Sequence, residues 1–313
     1  MTIRRKVRAD SILPKRVQNF FILQIFLAAK VFIWLAARLK EEQVKFLVRV
    51  FYLPFSGFNR KICKRNLASV FGSQGRTPAE LKQIHRAYLE YMVRFQAETL
   101  RCFSNTPGEW RRKVSLDGEN ILQDALNKGG GIMLVSGHMG TWWHIPCLLL
   151  KRGYKVNVVF NSFPYPSIEN YLKQIAAKHG MTLAFVDKGI PQLIRHAARN
   201  NEVVYLTFDV AVRKRHTNWL PFGSTKININ PGPATLAMRN KIPAHYVSSY
   251  YRDEKQTHAI IHPETMAEGK ISRKNSNDLS RQWVEKLYAD ILRHPEQWWG
   301  WGFSDLPRVR VQK

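Results

Sequence analysis

Residues 131–143 read Gly-Ile-Met-Leu-Val-Ser-Gly-His-Met-Gly-Thr-Trp-Trp. The first half is a short apolar run bounded by glycines, the signature of a strand buried on both faces. His138 follows it at once, between Gly137 and Gly140, two residues that permit a tight turn and close backbone approach. A histidine held there can act as general base on a hydroxyl, and the amides of the turn can hold an oxyanion. The opposing reading, a lone histidine that serves only structure, is the commoner one for a short motif.

The surrounding chain repeats the pattern. Residues 155–160, 181–186 and 202–208 are further short apolar runs, and 120–128, 167–179 and 190–200 are amphipathic segments between them. This alternation predicts βαβ units and a mostly parallel central sheet flanked by helices. Strands are also expected at 243–252 and 257–262, and helices at 78–101 and 277–293. Asp209 stands just beyond the run at 202–208 as His138 stands beyond its own. Open parallel sheets bind ligands at the carboxyl ends of their strands, so both residues fall on the edge where chemistry is expected.

Upstream, residues 20–39 form an apolar run about one bilayer in length, interrupted by Gln24, Lys30 and Arg38 and preceded by Arg4, Arg5, Lys6, Arg8, Lys15 and Arg16. No small-residue cleavage site follows it, against a signal peptide. Lys30 would be costly at mid-bilayer unless it snorkels. A tilted anchor and an interfacial helix are both compatible with that, and the alternative is a buried helix of a soluble domain. The expected organisation is a basic N-terminus with a membrane-anchoring or interfacial helix at 1–40 and one domain at 41–313.

Of the 313 residues, 45% are apolar, enough for a large core, and Lys plus Arg outnumber Asp plus Glu by 49 to 23. The net charge of +26 favours an anionic partner. The basic residues are spread along the chain and no nucleic-acid-binding motif appears, so no nucleic acid is expected. Cys63, Cys102 and Cys147 match no zinc or redox spacing, and an odd count argues against a disulfide framework. They read as buried thiols in a reducing compartment.

The segment Ser136 to Trp143 resembles the S-G-H-x-G-x-W-E signature of the lipid A late acyltransferases, in the wider lysophospholipid and glycerol-phosphate acyltransferase group. Further blocks in the same order carry the resemblance along most of the chain: Arg65-Asn66-Leu67, Glu98, Asp209 with Leu220-Pro221-Phe222-Gly223, Pro231 to Ala237, and Pro295 to Trp301. The resemblance implies a glycerol-phosphate acyltransferase-like fold with an N-terminal membrane helix at the cytoplasmic face of the inner membrane. It also implies transfer of a fatty acyl chain from acyl carrier protein or acyl-CoA to a lipid or other amphiphilic acceptor. No cofactor or metal is needed, and the implied partners are the donor, the acceptor and an anionic membrane surface.

The chain departs from that pattern at one position. The family motif is His-x4-Asp/Glu, and its carboxylate slot falls on Trp143. An indole cannot accept a hydrogen bond from the imidazole. Asp209 is the candidate replacement, a His138 that acts without a carboxylate is a second reading, and a glutamate restored at 143 is expected to pair with the ring. A protein that keeps the fold and binds lipid or a partner enzyme without catalysis is the alternative, with Trp143 lining or plugging the pocket. Candidate substrate contacts are Gly137, Gly140, Trp143, the basic run Arg213, Lys214 and Arg215, and Lys226; solvated surface charge is the plainer reading of the four cations.

Overall fold

The computed structural model describes residues 30–103, 114–162, 166–186, 189–209, 218–253, 256–263, 272–303 and 306. Two long helices, α1 (Glu41–Phe71) and α2 (Pro78–Phe103), form an antiparallel hairpin. Pro78 opens α2, where its missing N–H costs nothing. The body then alternates strand and helix: β1 (Val114–Asp117), α3 (Glu119–Asn127), β2 (Ile132–Ser136), α4 (His144–Lys151), β3 (Val156–Phe160), α5 (Pro166–Lys178), β4 (Thr182–Phe185), α6 (Ile190–Arg199) and β5 (Val203–Thr207). A hairpin of β6 (Asn218–Phe222) and β7 (Thr225–Ile229) follows. The chain continues through α7 (Gly232–Asn240), β8 (Ala244–Tyr251), β9 (Thr257–Ile261), α8 (Arg273–Arg293) and a 3₁₀ turn at Trp299–Gly302.

Seven strands make one sheet in the order β1-β9-β8-β2-β5-β3-β4. All neighbours are parallel except β8 and β9. The α/β architecture with a mostly parallel central sheet is therefore as expected, and β9 with β1 runs against the rest. β2 is central, and its residues 132–136 are all buried, which is why they read as an unbroken apolar run. The connection leaving β2 travels to β3 on one side, and the one leaving β5 travels to β8 on the other. The carboxyl ends of β2 and β5 thus flank a topological switch point.

No helix among the described residues is long and apolar enough to cross a membrane. Most of the 20–39 run lies outside the described residues. Its last part is helical over 30–36, and Ala36 packs with Val44, Val48, Val93 and Ala97 of the helical hairpin. Arg101 also donates to the Leu39 carbonyl at 2.9 Å. The end of the run is thus part of the folded body, while Val31 and Trp34 remain exposed.

Candidate active site

Ser136 of β2 stands opposite Thr207 of β5 in register. His138 and Asp209 each lie two residues beyond that rung, on strands that are hydrogen-bonded neighbours. Asp209 Oδ1 lies 2.6 Å from His138 Nδ1. The same carboxylate accepts the His138 backbone amide at 3.1 and 3.0 Å and the Trp298 indole N–H at 2.8 Å. One side chain therefore fixes both the ring and the backbone of the histidine. His138 is 8% exposed and Asp209 1%.

Burial pushes the Asp209 carboxyl up. The His138 charge and the hydrogen bonds from its ring, from Trp298 and from the His138 amide outweigh that, and hold the carboxyl below its ordinary range. An ionised carboxylate can only accept, so Nδ1 carries the ring proton of a neutral His138 and Nε2 presents its lone pair. Thr207 Oγ1 lies 3.1 Å from Nε2. Trp142 stands edge-on to the ring at 4.7 Å and Trp299 stacks on it at 5.1 Å.

The turn that carries His138 is clamped by distant segments. Gly140 has φ +54°, and a Cβ there would fall 2.2 Å from the Ser249 carbonyl oxygen and 2.4 Å from Tyr250 Cα, so only glycine fits. At Gly137 a Cβ would meet Leu287 Cδ1 at 2.5 Å. Gly140 donates its amide to the Gln297 carbonyl at 2.8 Å, and the Trp299 amide donates to the His138 carbonyl at 2.9 Å. Ser249 Oγ and Tyr91 Oη donate to the carbonyls of Met139 and Gly140 at 2.8 and 3.0 Å. The two glycines thus act by allowing this packing.

The other motif blocks support the same corner. Asn66 donates to the Trp301 carbonyl at 3.0 Å. Glu98 accepts from Tyr251 Oη at 2.9 Å and Arg94 Nε at 3.0 Å, and lies 3.6 Å from His144 Nδ1. The Phe222 ring packs 5.3 Å from the Trp298 ring. Trp143 is 3% exposed and packs edge-on to Phe160 at 4.9 Å, so it belongs to the core. With Asp209 on Nδ1 and Thr207 on Nε2, both ring nitrogens of His138 already have partners. Lys226 is exposed on β7. Arg213, Lys214 and Arg215 lie outside the described residues.

Sequence reasoning missed Thr207 and Trp298 as partners of the pair. Thr207 carried a usable signal, because it ends the strand before Asp209 as Ser136 ends the strand before His138. Trp298 carried none, since an apolar aromatic block gives no hint that one indole N–H serves a carboxylate 89 positions earlier. Among the described residues, no three His, Cys, Asp or Glu are placed to hold a metal ion.

A buried histidine–carboxylate pair thus stands at the switch point of a mostly parallel sheet in an α/β fold, an arrangement able to support general-base chemistry. The profile of the bacterial lipid A biosynthesis acyltransferases matches residues 14–301, and the chain belongs to that family. Acyl transfer is the activity this membership assigns. Among solved structures, the chain is similar to the 1-acyl-sn-glycerophosphate (LPA) acyltransferase PlsC from Thermotoga maritima, at 12% identity and a TM-score of 0.36, over 78% of this chain and 94% of that one. No curated protein matches the chain.

Proposed function

We propose that the protein transfers a fatty acyl chain from the thioester of acyl carrier protein or acyl-CoA to a hydroxyl or amine of a glycolipid or other amphiphilic acceptor, with His138 as general base. The observation that carries this reading is the 2.6 Å contact between His138 Nδ1 and Asp209. With Nδ1 held by the carboxylate, Nε2 takes the acceptor's proton as the acceptor oxygen or nitrogen attacks the thioester carbonyl. The tetrahedral intermediate then collapses, and the imidazolium returns the proton to the departing thiolate. Asp209 keeps the ring in the required tautomer and stabilises its cationic form. It does so in place of the motif carboxylate that Trp143 has displaced.

The non-catalytic alternative arises from the loss of the motif carboxylate, with Trp143 then lining or plugging the pocket. Against it stand Asp209, a carboxylate at the His138 ring, and Trp143, which packs in the core against Phe160. The membrane is proposed as the workplace, at the cytoplasmic face of the inner membrane. The family's role in lipid A biosynthesis and the basic, apolar N-terminal sequence support it. The test of function is an acyl-transfer assay on wild type and His138→Ala, with both donor types and total membrane lipid as acceptor. Transfer by wild type and none by the variant is expected; equal product from both would remove His138 as the base. The test of location is sedimentation with membranes, and fully soluble full-length protein would overturn it.

A further inference from the structure

Two of the three cysteines, set aside by the sequence as unrelated thiols, meet in the fold. Cys102 sits in the last turn of α2 and Cys147 in the middle of α4, and their sulfurs are 3.2 Å apart. Both are free thiols. A disulfide needs about 2.05 Å, so the sulfurs have roughly 1.1 Å left to travel. The third thiol, Cys63 in α1, is buried, and burial pushes its pKa up to about 12. The pair joins two helices that both serve the His138 turn. α2 supplies Tyr91, which holds the Gly140 carbonyl, and Glu98; α4 begins directly after the turn, at His144.

We propose that Cys102 and Cys147 are a redox-modification site, which an oxidant of the peroxide class converts to a disulfide that fastens α2 to α4. Cys147 is the partly exposed member and Cys102 the buried one. The Cys147 sulfur attacks the peroxide O–O bond, giving a sulfenic acid and releasing water. The Cys102 sulfur, already in contact, then attacks the sulfenic sulfur, forming the S–S bond and releasing a second water. Two thiols thereby lose two electrons and two protons, and hydrogen peroxide is reduced to two waters. The hydrogen bond with Cys147, together with burial, raises the Cys102 thiol well above its ordinary range, which fits Cys102 as the resolving partner.

The experiment treats the purified full-length protein with hydrogen peroxide, unfolds it, alkylates the remaining thiols and weighs it. The expected result is a fall from three alkylated thiols to one, a mass two alkyl groups below the alkylated reduced protein, a linked 102–147 peptide, and full reversal by dithiothreitol. The oxidised wild type should melt above the reduced protein, because the link restricts the unfolded chain. Cys147→Ser, at the more exposed position, should keep both remaining thiols alkylatable after peroxide, and its melting temperature should not respond. Cys102→Ala, which removes the resolving thiol, is the second check should the serine variant fold poorly. In it Cys147 should stop at the sulfenic acid, trapped by dimedone, with no linked peptide and no rise in melting temperature. Three alkylated thiols after oxidation, a link to Cys63, or Cys147 over-oxidised without a link would each overturn the proposal.

Discussion

The sheet holds two buried clusters of aspartate and histidine, and they are electrostatic opposites. At the carboxyl ends of β2 and β5, Asp209 touches His138 directly and its carboxyl is held below the ordinary range. At the β8–α8 contact, Asp290 and His262 are separated by Ser248, whose Oγ lies 2.6 Å from Asp290 Oδ2 and 2.8 Å from His262 Nε2. Tyr246 Oη adds a 3.0 Å bond to the same Asp290 oxygen. Burial raises the Asp290 carboxyl despite those bonds, and burial with Lys286 and Arg293 nearby lowers His262 from 6.5 to about 4. The second cluster thus favours neutral groups and acts as a polar part of the core. Direct contact and several convergent donors keep the carboxylate of the first ionised, and its histidine ring stands between Trp142 and Trp299.

The sharpest way to break this comparison is at the first cluster. His138→Ala should abolish acyl transfer. Asp209→Asn should lower kcat by about 10⁴, as loss of the orienting carboxylate does in serine-protease triads. Asp290→Asn, at the second cluster, should leave kcat near wild type. Parallel steady-state assays of the three variants decide whether only one cluster is catalytic.

Trp143→Glu comes next in size. The sequence alone suggests that a restored carboxylate would pair with His138. The fold offers that carboxylate a core site beside Phe160 and a histidine whose Nδ1 is already held by Asp209. The expected outcome is a loss of about 3–5 kcal/mol in urea unfolding, from burying an unpaired charge, with no gain in rate. A variant as stable as wild type and more active would show that Asp209 is not the working partner.

The two aspartates should also tilt stability in opposite directions with pH. Asp209 has a folded-state pKa below its unfolded value of about 3.9, so its contribution is complete above that pH and fades as pH falls through the folded value. Asp290 has a raised folded-state pKa, so its contribution is present below about 3.9 and fades as pH rises through the folded value. Denaturant unfolding of Asp209→Asn and Asp290→Asn against wild type, from mildly acidic to acidic pH, should show differences that change with opposite sign.

The smallest effect belongs to His262. Its folded pKa of about 4 lies below its ordinary 6.5, so the unfolded chain binds the proton first and stability falls as pH drops between those values. The slope is at most about 1.4 kcal/mol per pH unit, reduced by partial exposure. His262→Gln should flatten the thermal-unfolding profile in that window.

The parallel core was legible because β2 and β5 are apolar runs ended by turn residues, and His138 and Asp209 follow them at matching positions. The β6–β7 hairpin was not. Pro221 and exposed Trp219 interrupt the strand pattern, and a two-stranded ribbon tolerates a proline that a central strand would reject. β1 is only four residues long, and the reversal of β9 is set by pairing that no local period encodes. The meeting of Cys102 with Cys147 depends on how α2 lies against α4, which spacing along the chain does not reveal.

The indole of Trp298 on Asp209 also bears on the order of synthesis. The pair that joins β2 to β5 is present once residue 209 has left the ribosome, but the carboxylate then lacks a donor, and the His138 turn lacks Gln297 and Trp299 against its backbone. Those three residues are among the last translated before residue 301. A nascent chain can therefore assemble most of its sheet while His138 is still loosely held, and the pair is fully braced only once residues 297–299 have been made.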